Sequence, residues 1–252
     1  MRRSFAVLFC LLAAPLLRAE TIKVGAAISL KEAITEIAKT YEAESGEHVE
    51  FTFGSSGQLM AQIKAGAPVD AFISAASKQV DELDAAGLID RPSRRVLAGN
   101  TLVLIVPAGS GVALSRFEQL ADPGIGKVSM GDPKSVPAGQ YAQQVIKKLG
   151  IDQKLQDRVI YGTNVRQVLD YVERGEVVAG IVYATDAREG GEKVKVVAKA
   201  DPSMHEPIQY PAVVVSASKK GEATKRFLDY AKSEKAQAIL KRYGFTSGVP
   251  KQ

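Results

Sequence analysis

Four short stretches of the chain place small or hydroxyl residues where an apolar run gives way to helix-like spacing. They are Gly25-Ala-Ala-Ile-Ser29, Phe53-Gly-Ser-Ser-Gly57, Asp132-Pro-Lys-Ser-Val-Pro-Ala-Gly139 and Gly162-Thr-Asn-Val165. A fifth, Gly180-Ile-Val-Tyr183, ends a continuous apolar run on a phenol. The opening turn of a helix presents N–H groups without intrahelical partners and the positive end of its dipole, so each junction is a potential anion seat. The key positions carry hydroxyls and small residues, with no Arg or Lys among them. That pattern predicts a site that holds an anion by uncharged donors, which suits a carrier better than a catalyst.

Each junction also has a plainer reading. Ser29-Leu-Lys-Glu32 has capping-box spacing, in which the serine hydroxyl caps the helix and Glu32 reaches back. The functional alternative turns the Ser29 N–H and hydroxyl outward to a ligand. Asn164-Val-Arg-Gln167 is a similar cap and would leave the Val165 N–H as an orphan donor. Glycines on both sides of Ser55 and Ser56 allow close backbone approach, as a tight turn also would. Pro137 suits the entry to a helix and puts Ala138 in its first turn. Tyr183 either reaches the ligand or bonds a carbonyl as a core phenol.

The elements that must position these groups alternate almost throughout. Strands are expected at 22–26, 49–53, 69–74, 101–106, 127–130, 159–161, 177–183, 194–198 and 212–215. Helical spacing covers 29–44, 59–65, 77–86, 138–149, 164–173, 222–232 and 234–242. Such βαβ alternation predicts an α/β fold with mainly parallel sheets. The rhythm breaks at 100–107, followed by the loop Ala108-Gly-Ser-Gly111, and at Tyr210-Pro211. Two crossings there give two lobes, one from 20–99 plus 212–252 and the other from 100–211. A cleft between lobes is a usual seat for a small ligand.

Composition narrows the class. Met1-Arg2-Arg3, the apolar run at 4–17 and the small Ala19 have the form of a secretory signal peptide over 1–19. The run is shorter than the ~20 residues needed to cross a bilayer. Export to the periplasm follows as an expectation, with a mature chain beginning near Glu20. The one cysteine, Cys10, would leave with the leader, so no disulfide or thiolate metal site is expected. Arg2, Arg3 and Arg18 would leave too, reducing 33 basic residues to 30 against 28 acidic ones. The remaining Lys and Arg are scattered, with no basic stripe, which argues against nucleic-acid binding. No later segment has transmembrane length.

The order and spacing of the junctions carry a resemblance. Over essentially the whole length after the leader, the chain resembles the periplasmic molybdate-binding proteins of ABC-type importers, a branch of the type II periplasmic binding proteins. The matching runs are Ala26-Ala-Ile-Ser-Leu30, Phe53-Gly-Ser-Ser56, Gln62-Ile-Lys-Ala-Gly-Ala-Pro-Val-Asp-Ala-Phe-Ile-Ser74, Gly131-Asp-Pro, Val136-Pro-Ala-Gly139, Asn164-Val165, Gly180-Ile-Val-Tyr183 and Lys241-Arg-Tyr-Gly-Phe245. The resemblance implies two Rossmann-like lobes joined by two crossing strands. It also implies a tetrahedral oxyanion, molybdate or tungstate, held by Ser29 and Ser56 (hydroxyl and N–H), the Ala138 and Val165 N–H groups and the Tyr183 hydroxyl. Molybdenum would be bound only as that oxyanion, with no cofactor. A membrane permease is the implied partner of a monomeric carrier. Gly57 stands where some relatives have another hydroxyl, which leaves Ser55 and Ser56 both open as the contacting serine.

Two rival readings exist. A hydrolase would need a nucleophile elbow, and the Ser55/Ser56 turn lacks Gly-x-Ser-x-Gly. Only His48 and His205 could serve as imidazole bases, and Ser216-Ala-Ser-Lys219 lacks the companion motifs of Ser-x-x-Lys enzymes. A carrier of sulfate or another tetrahedral oxyanion is the second rival, since sulfate is also a dianion that uncharged donors can hold.

Overall fold

The computed structural model describes residues 21–248, so the expected leader at 1–19 lies outside the described residues. The first strand, β1 (Thr21–Ala27), runs through a 3-10 turn (Ile28–Leu30) into α1 (Lys31–Ser45). β2 (His48–Gly54), α2 (Ser56–Lys64), β3 (Ala71–Ile73), α3 (Ser77–Ala85) and β4 (Ile89–Gly99) follow. The chain then lays down β5 (Leu102–Pro107), β6 (Val128–Gly131), α4 (Pro137–Lys148), α5 (Asp152–Leu155), β7 (Val159–Gly162) and α6 (Val165–Glu173). β8 (Ala179–Tyr183), α7 (Ala184–Gly190), β9 (Val194–Lys199), β10 (Gln209–Val215), α8 (Gly221–Tyr230) and α9 (Glu234–Arg242) complete it.

The strands form two five-stranded sheets, ordered β2-β1-β3-β10-β4 and β7-β6-β8-β5-β9. The α/β class is as the alternation predicts, and the two sheets agree with the two breaks in its rhythm. The parallel character holds for only part of each sheet. β1 pairs in parallel with β2 and β3, and β6 in parallel with β7 and β8. β10 runs antiparallel to β3 and β4, and β5 antiparallel to β8 and β9. Parallel neighbours are joined by helical crossovers within a sheet, whereas β5 and β10 each enter their sheet directly from the other one and run against their neighbours. Both sheets are therefore mixed.

Three elements escape a periodicity reading, one of them the four-residue α5, too short to show a helical period. β4 contains Pro92 and the charged Asp90, Arg91, Arg94 and Arg95, which disguise it as a loop. It lies at the edge of its sheet, where a proline need not donate to a neighbour. The short α7 follows directly on β8 with no break in sequence that announces it. Inner strands are legible because both faces are covered: Leu102 to Ile105 of β5 are each fully buried.

The chain passes from the first sheet to the second through Asn100 and Thr101, and returns between Lys199 and Gln209. One extensive apolar core takes in strands of both sheets, with a satellite cluster of Leu59, Ile63, Phe72, Val80, Leu83, Ile89, Val213 and Val215 under α2 and α3. The first turn of α4 is seated on the end of β6 by a glycine pair. A Cβ at Gly139 would lie 2.0 Å from the Gly131 carbonyl oxygen, so only glycine lets this helix start so close to the strand.

Candidate functional site

The helix starts converge on one small cavity. Ala27, Ile28, Ser29, Gly54, Ser55, Ser56, Ala75, Val136, Pro137, Ala138, Val165 and Tyr183 line a tight cavity of about 10 Å³. All five expected ligand-binding residues, Ser29, Ser56, Ala138, Val165 and Tyr183, are brought together there, and Ser55 joins them. None of the lining residues is charged. Ser29 and Ser56 come from elements of the first sheet's layer, whereas Ala138, Val165 and Tyr183 come from the second.

Three of the expected donors sit in the first turn of a helix. In α4, Pro137 occupies the first position, and the Gln140 N–H takes the Val136 carbonyl, so Ala138 presents a first-turn N–H. In α6, the Asn164 side chain accepts from the Gln167 N–H at 3.1 Å, as the sequence spacing predicts, and Val165 opens the helix. In α2, Ser55 is the N-cap and accepts from the Gln58 N–H at 3.4 Å. The Gly57 N–H goes to the Ser135 carbonyl and the Leu59 N–H to the Ser55 carbonyl, leaving the Ser56 amide beside the cavity.

The capping box expected at Ser29 is not formed. A 3-10 turn separates β1 from α1, whose N-cap is Leu30 with no side-chain cap. The Ser29 hydroxyl instead meets the Tyr210 hydroxyl at 2.9 Å. Glu32 points to Arg166 across the sheets, with Oε2 2.6 Å and Oε1 3.2 Å from the guanidinium. Two bonds to a guanidinium outcompete a single reach-back to one backbone N–H.

The two serines of the α2 start play different parts. The Ser56 hydroxyl oxygen accepts from the Ala75 N–H at 3.0 Å, so its own proton is free for a ligand. The Ser55 hydroxyl is engaged in the cap, a role its position alone explains. Tyr183 is 1 % exposed, and its hydroxyl donates to the Ala75 carbonyl over a long 3.4 Å. Burial, with Tyr210 and Tyr141 nearby, pushes its ionisation well above the ordinary phenol range, so it remains a donor.

Contacts around the cavity link the two layers. The Gly57 N–H donates to the Ser135 carbonyl at 2.9 Å, and Gln79 Nε2 to Gln140 Oε1 at 3.2 Å. Arg166 joins Glu32 to Asp186, donating to Asp186 Oδ1 at 2.6 Å. Asp186 is fully buried, and burial pushes its carboxyl up to about 6 despite the opposing pull of Arg166. Its other oxygen, Oδ2, has no hydrogen-bond partner. Neither Ala75 nor the Arg166–Glu32 pair was picked out by the sequence; Ala75 acts through backbone atoms that carry no side-chain signal.

The chemistry of the lining fits an anion that only accepts hydrogen bonds. His48 pairs with Glu42, and His205 faces the Glu206 carbonyl, so neither imidazole is at the cavity. Among the described residues, no group of three or more His, Cys, Asp or Glu side chains could hold a metal cation. No helix among the described residues is long and apolar enough to cross a membrane.

The family model for bacterial extracellular solute-binding proteins matches residues 22–246. The molybdate-binding protein ModA of Haemophilus influenzae is 38% identical over 230 residues, covering 90% of this chain and 90% of that protein. The solved periplasmic molybdate-binding protein of Azotobacter vinelandii superposes with a TM-score of 0.80 at 27% identity, covering 91% of this chain and 100% of the other. The sulfate-binding protein SubI of Mycobacterium tuberculosis has a TM-score of 0.81 at 20% identity, covering 92% and 88%, which shows a shared fold. The chain belongs to the bacterial extracellular solute-binding protein family.

Proposed function

We propose that this protein captures molybdate, and tungstate with it, in the cavity between its two sheets and delivers the ion to an ABC-type importer. The observation that carries the reading is the uncharged cavity itself, where helix starts and hydroxyls from both sheets converge. A fully deprotonated oxyanion accepts at every oxygen and donates at none, so donors alone suffice to hold it. Oriented first-turn dipoles and charge-assisted hydrogen bonds stabilise its two negative charges without a buried counter-ion. The names of the relatives support the choice of molybdate.

In this reading Ser29 and Ser56 bind from one lobe, and Ala138, Val165 and Tyr183 from the other. The lobes comprise 20–99 with 212–252, and 100–211, hinged at the two passages between sheets. Neither lobe alone supplies the full donor set, so the ion favours the closed arrangement by population shift. The chain works as a binder with no catalytic step, as a monomer in the periplasm after loss of its leader, and its partner is the membrane permease.

Sulfate is the second reading, since it is also a dianion that the uncharged lining can hold. Sulfate has the same charge and shape but shorter bonds to oxygen. It would leave about two hydrogen bonds long, costing roughly 3–6 kcal/mol, on the order of 10²–10⁴ in affinity. Titration calorimetry with molybdate, tungstate, sulfate and phosphate decides between them. Sulfate bound within tenfold of molybdate would overturn the molybdate reading.

A further inference from the structure

Behind Ser29 lies a chain of side-chain hydrogen bonds through residues that do not line the cavity. The Asn100 side-chain oxygen accepts from the Thr101 N–H at 2.9 Å, which fixes which way round the amide sits. Its Nδ2 then faces the Thr185 hydroxyl at 2.9 Å and the Tyr210 hydroxyl at 3.0 Å. The Tyr210 hydroxyl has one further partner, the Ser29 hydroxyl at 2.9 Å. Tyr210 is 0% exposed.

The direction of these bonds follows from donor counting. An amide nitrogen can only donate, so the phenol oxygen must accept from Asn100. The phenol has a single proton and is sealed from water, and leaving that proton unpaired would be costly. Its remaining partner is the Ser29 oxygen, so Tyr210 donates and Ser29 accepts. The Ser29 proton is thereby left unspent, on a residue that lines the cavity. Ser56 reaches the same state by a shorter route, accepting from the Ala75 N–H.

We propose that Asn100 and Tyr210 are positioning residues that set the Ser29 hydroxyl as an obligate donor to the bound oxyanion. The proposal rests on the oxyanion reading above. The relay also has a mechanical consequence. Asn100 lies in one passage between the sheets, Tyr210 is in the strand entered from the other, and Thr185 belongs to α7 beside the second sheet. The polarity of the binding serine is therefore set at the hinge, where both connections meet.

The test is a double-mutant cycle read by molybdate calorimetry on the full chain, with thermal melting to confirm folding. Tyr210→Phe removes the donor to Ser29 and frees that hydroxyl to turn away, weakening molybdate about tenfold. In a Ser29→Ala background the same change is expected to alter affinity less than about twofold, because no hydroxyl remains to be oriented. A merely structural tyrosine would cost the same in both backgrounds, and that result overturns the proposal. Asn100→Asp supplies an independent reading with a side chain of the same shape. A carboxylate accepts only, so the phenol would donate to it and Ser29 would have to donate to the phenol, turning a lone pair to the anion. Molybdate should then weaken more than in Tyr210→Phe, with part of the loss disappearing when Ser29 is alanine. Unchanged binding by Asn100→Asp also overturns the relay. Wild-type protein that fails to bind molybdate would instead overturn the function reading, and the relay with it.

Discussion

A single methyl group at Gly57 tests whether the layers must close for binding. Gly57 is the second residue of α2, and a Cβ built there would lie 2.4 Å from the Ser135 carbonyl oxygen and 2.7 Å from the Ser135 Cα. Both obstacles are backbone atoms of the segment leading into α4, so the clash cannot be relieved by a side-chain rotamer. Separating them to ordinary contact needs a movement of about 1 Å, which breaks the Gly57–Ser135 hydrogen bond and displaces Ala138 relative to Ser56. Losing one neutral bond and stretching one or two bonds to a charged ion sums to roughly 2–5 kcal/mol, or about 30- to 5,000-fold in affinity. The fold should keep its stability, because the roughly 0.8–1 kcal/mol by which alanine is favoured over glycine inside a helix offsets the one neutral bond lost. Gly57→Ala should therefore melt no lower than wild type without ligand and yet bind molybdate weakly by calorimetry. Affinity within threefold of wild type would refute the closure argument.

Three further outcomes follow from the same geometry. Ser56→Ala should lose roughly 1.5–3 kcal/mol of molybdate binding, about 10–150-fold, while Ser55→Ala should mainly lower melting through its lost cap, at about 1 kcal/mol. Calorimetry that reverses their order would make Ser55 the contacting serine. Glu32→Gln cuts the charge pair between the layers, and after allowance for its partial exposure about 1–2 kcal/mol is lost from the closed form; stopped-flow dissociation should quicken roughly 5–30-fold, and an unchanged off-rate would show that the pair does not hold the lobes. Asp186 has its folded-state ionisation raised from 3.8 to about 6 by burial, so its contribution to stability is full below the unfolded value and is lost as pH rises through about 6. The melting temperature of wild type relative to Asp186→Asn should accordingly fall between pH 4 and pH 7, and a flat difference would contradict this placement.

The helix starts and most of the strands were legible in the sequence because their signals are local. Hydrophobic spacing, the Asn164 cap and the proline before Ala138 each act within a few residues, and the structure places each where the pattern puts it. The five residues proposed as donors were named by the family resemblance, and three of them, Ser56, Ala138 and Val165, sit in first turns whose free N–H groups belong to the helix start, whatever lies opposite. Three things were decided only by tertiary packing. Ser29 and Glu32 have capping-box spacing, but partners far along the chain, Tyr210 and Arg166, offered better hydrogen bonds and took both side chains. β4 is a strand because an edge of the sheet tolerates Pro92 and the charged residues around it, and no local propensity announces that edge. The division of labour between Ser55 and Ser56 depends on where the Ala75 N–H arrives from another strand end. Local backbone chemistry thus determined which groups could donate, and long-range packing decided which hydroxyls still have a proton to give.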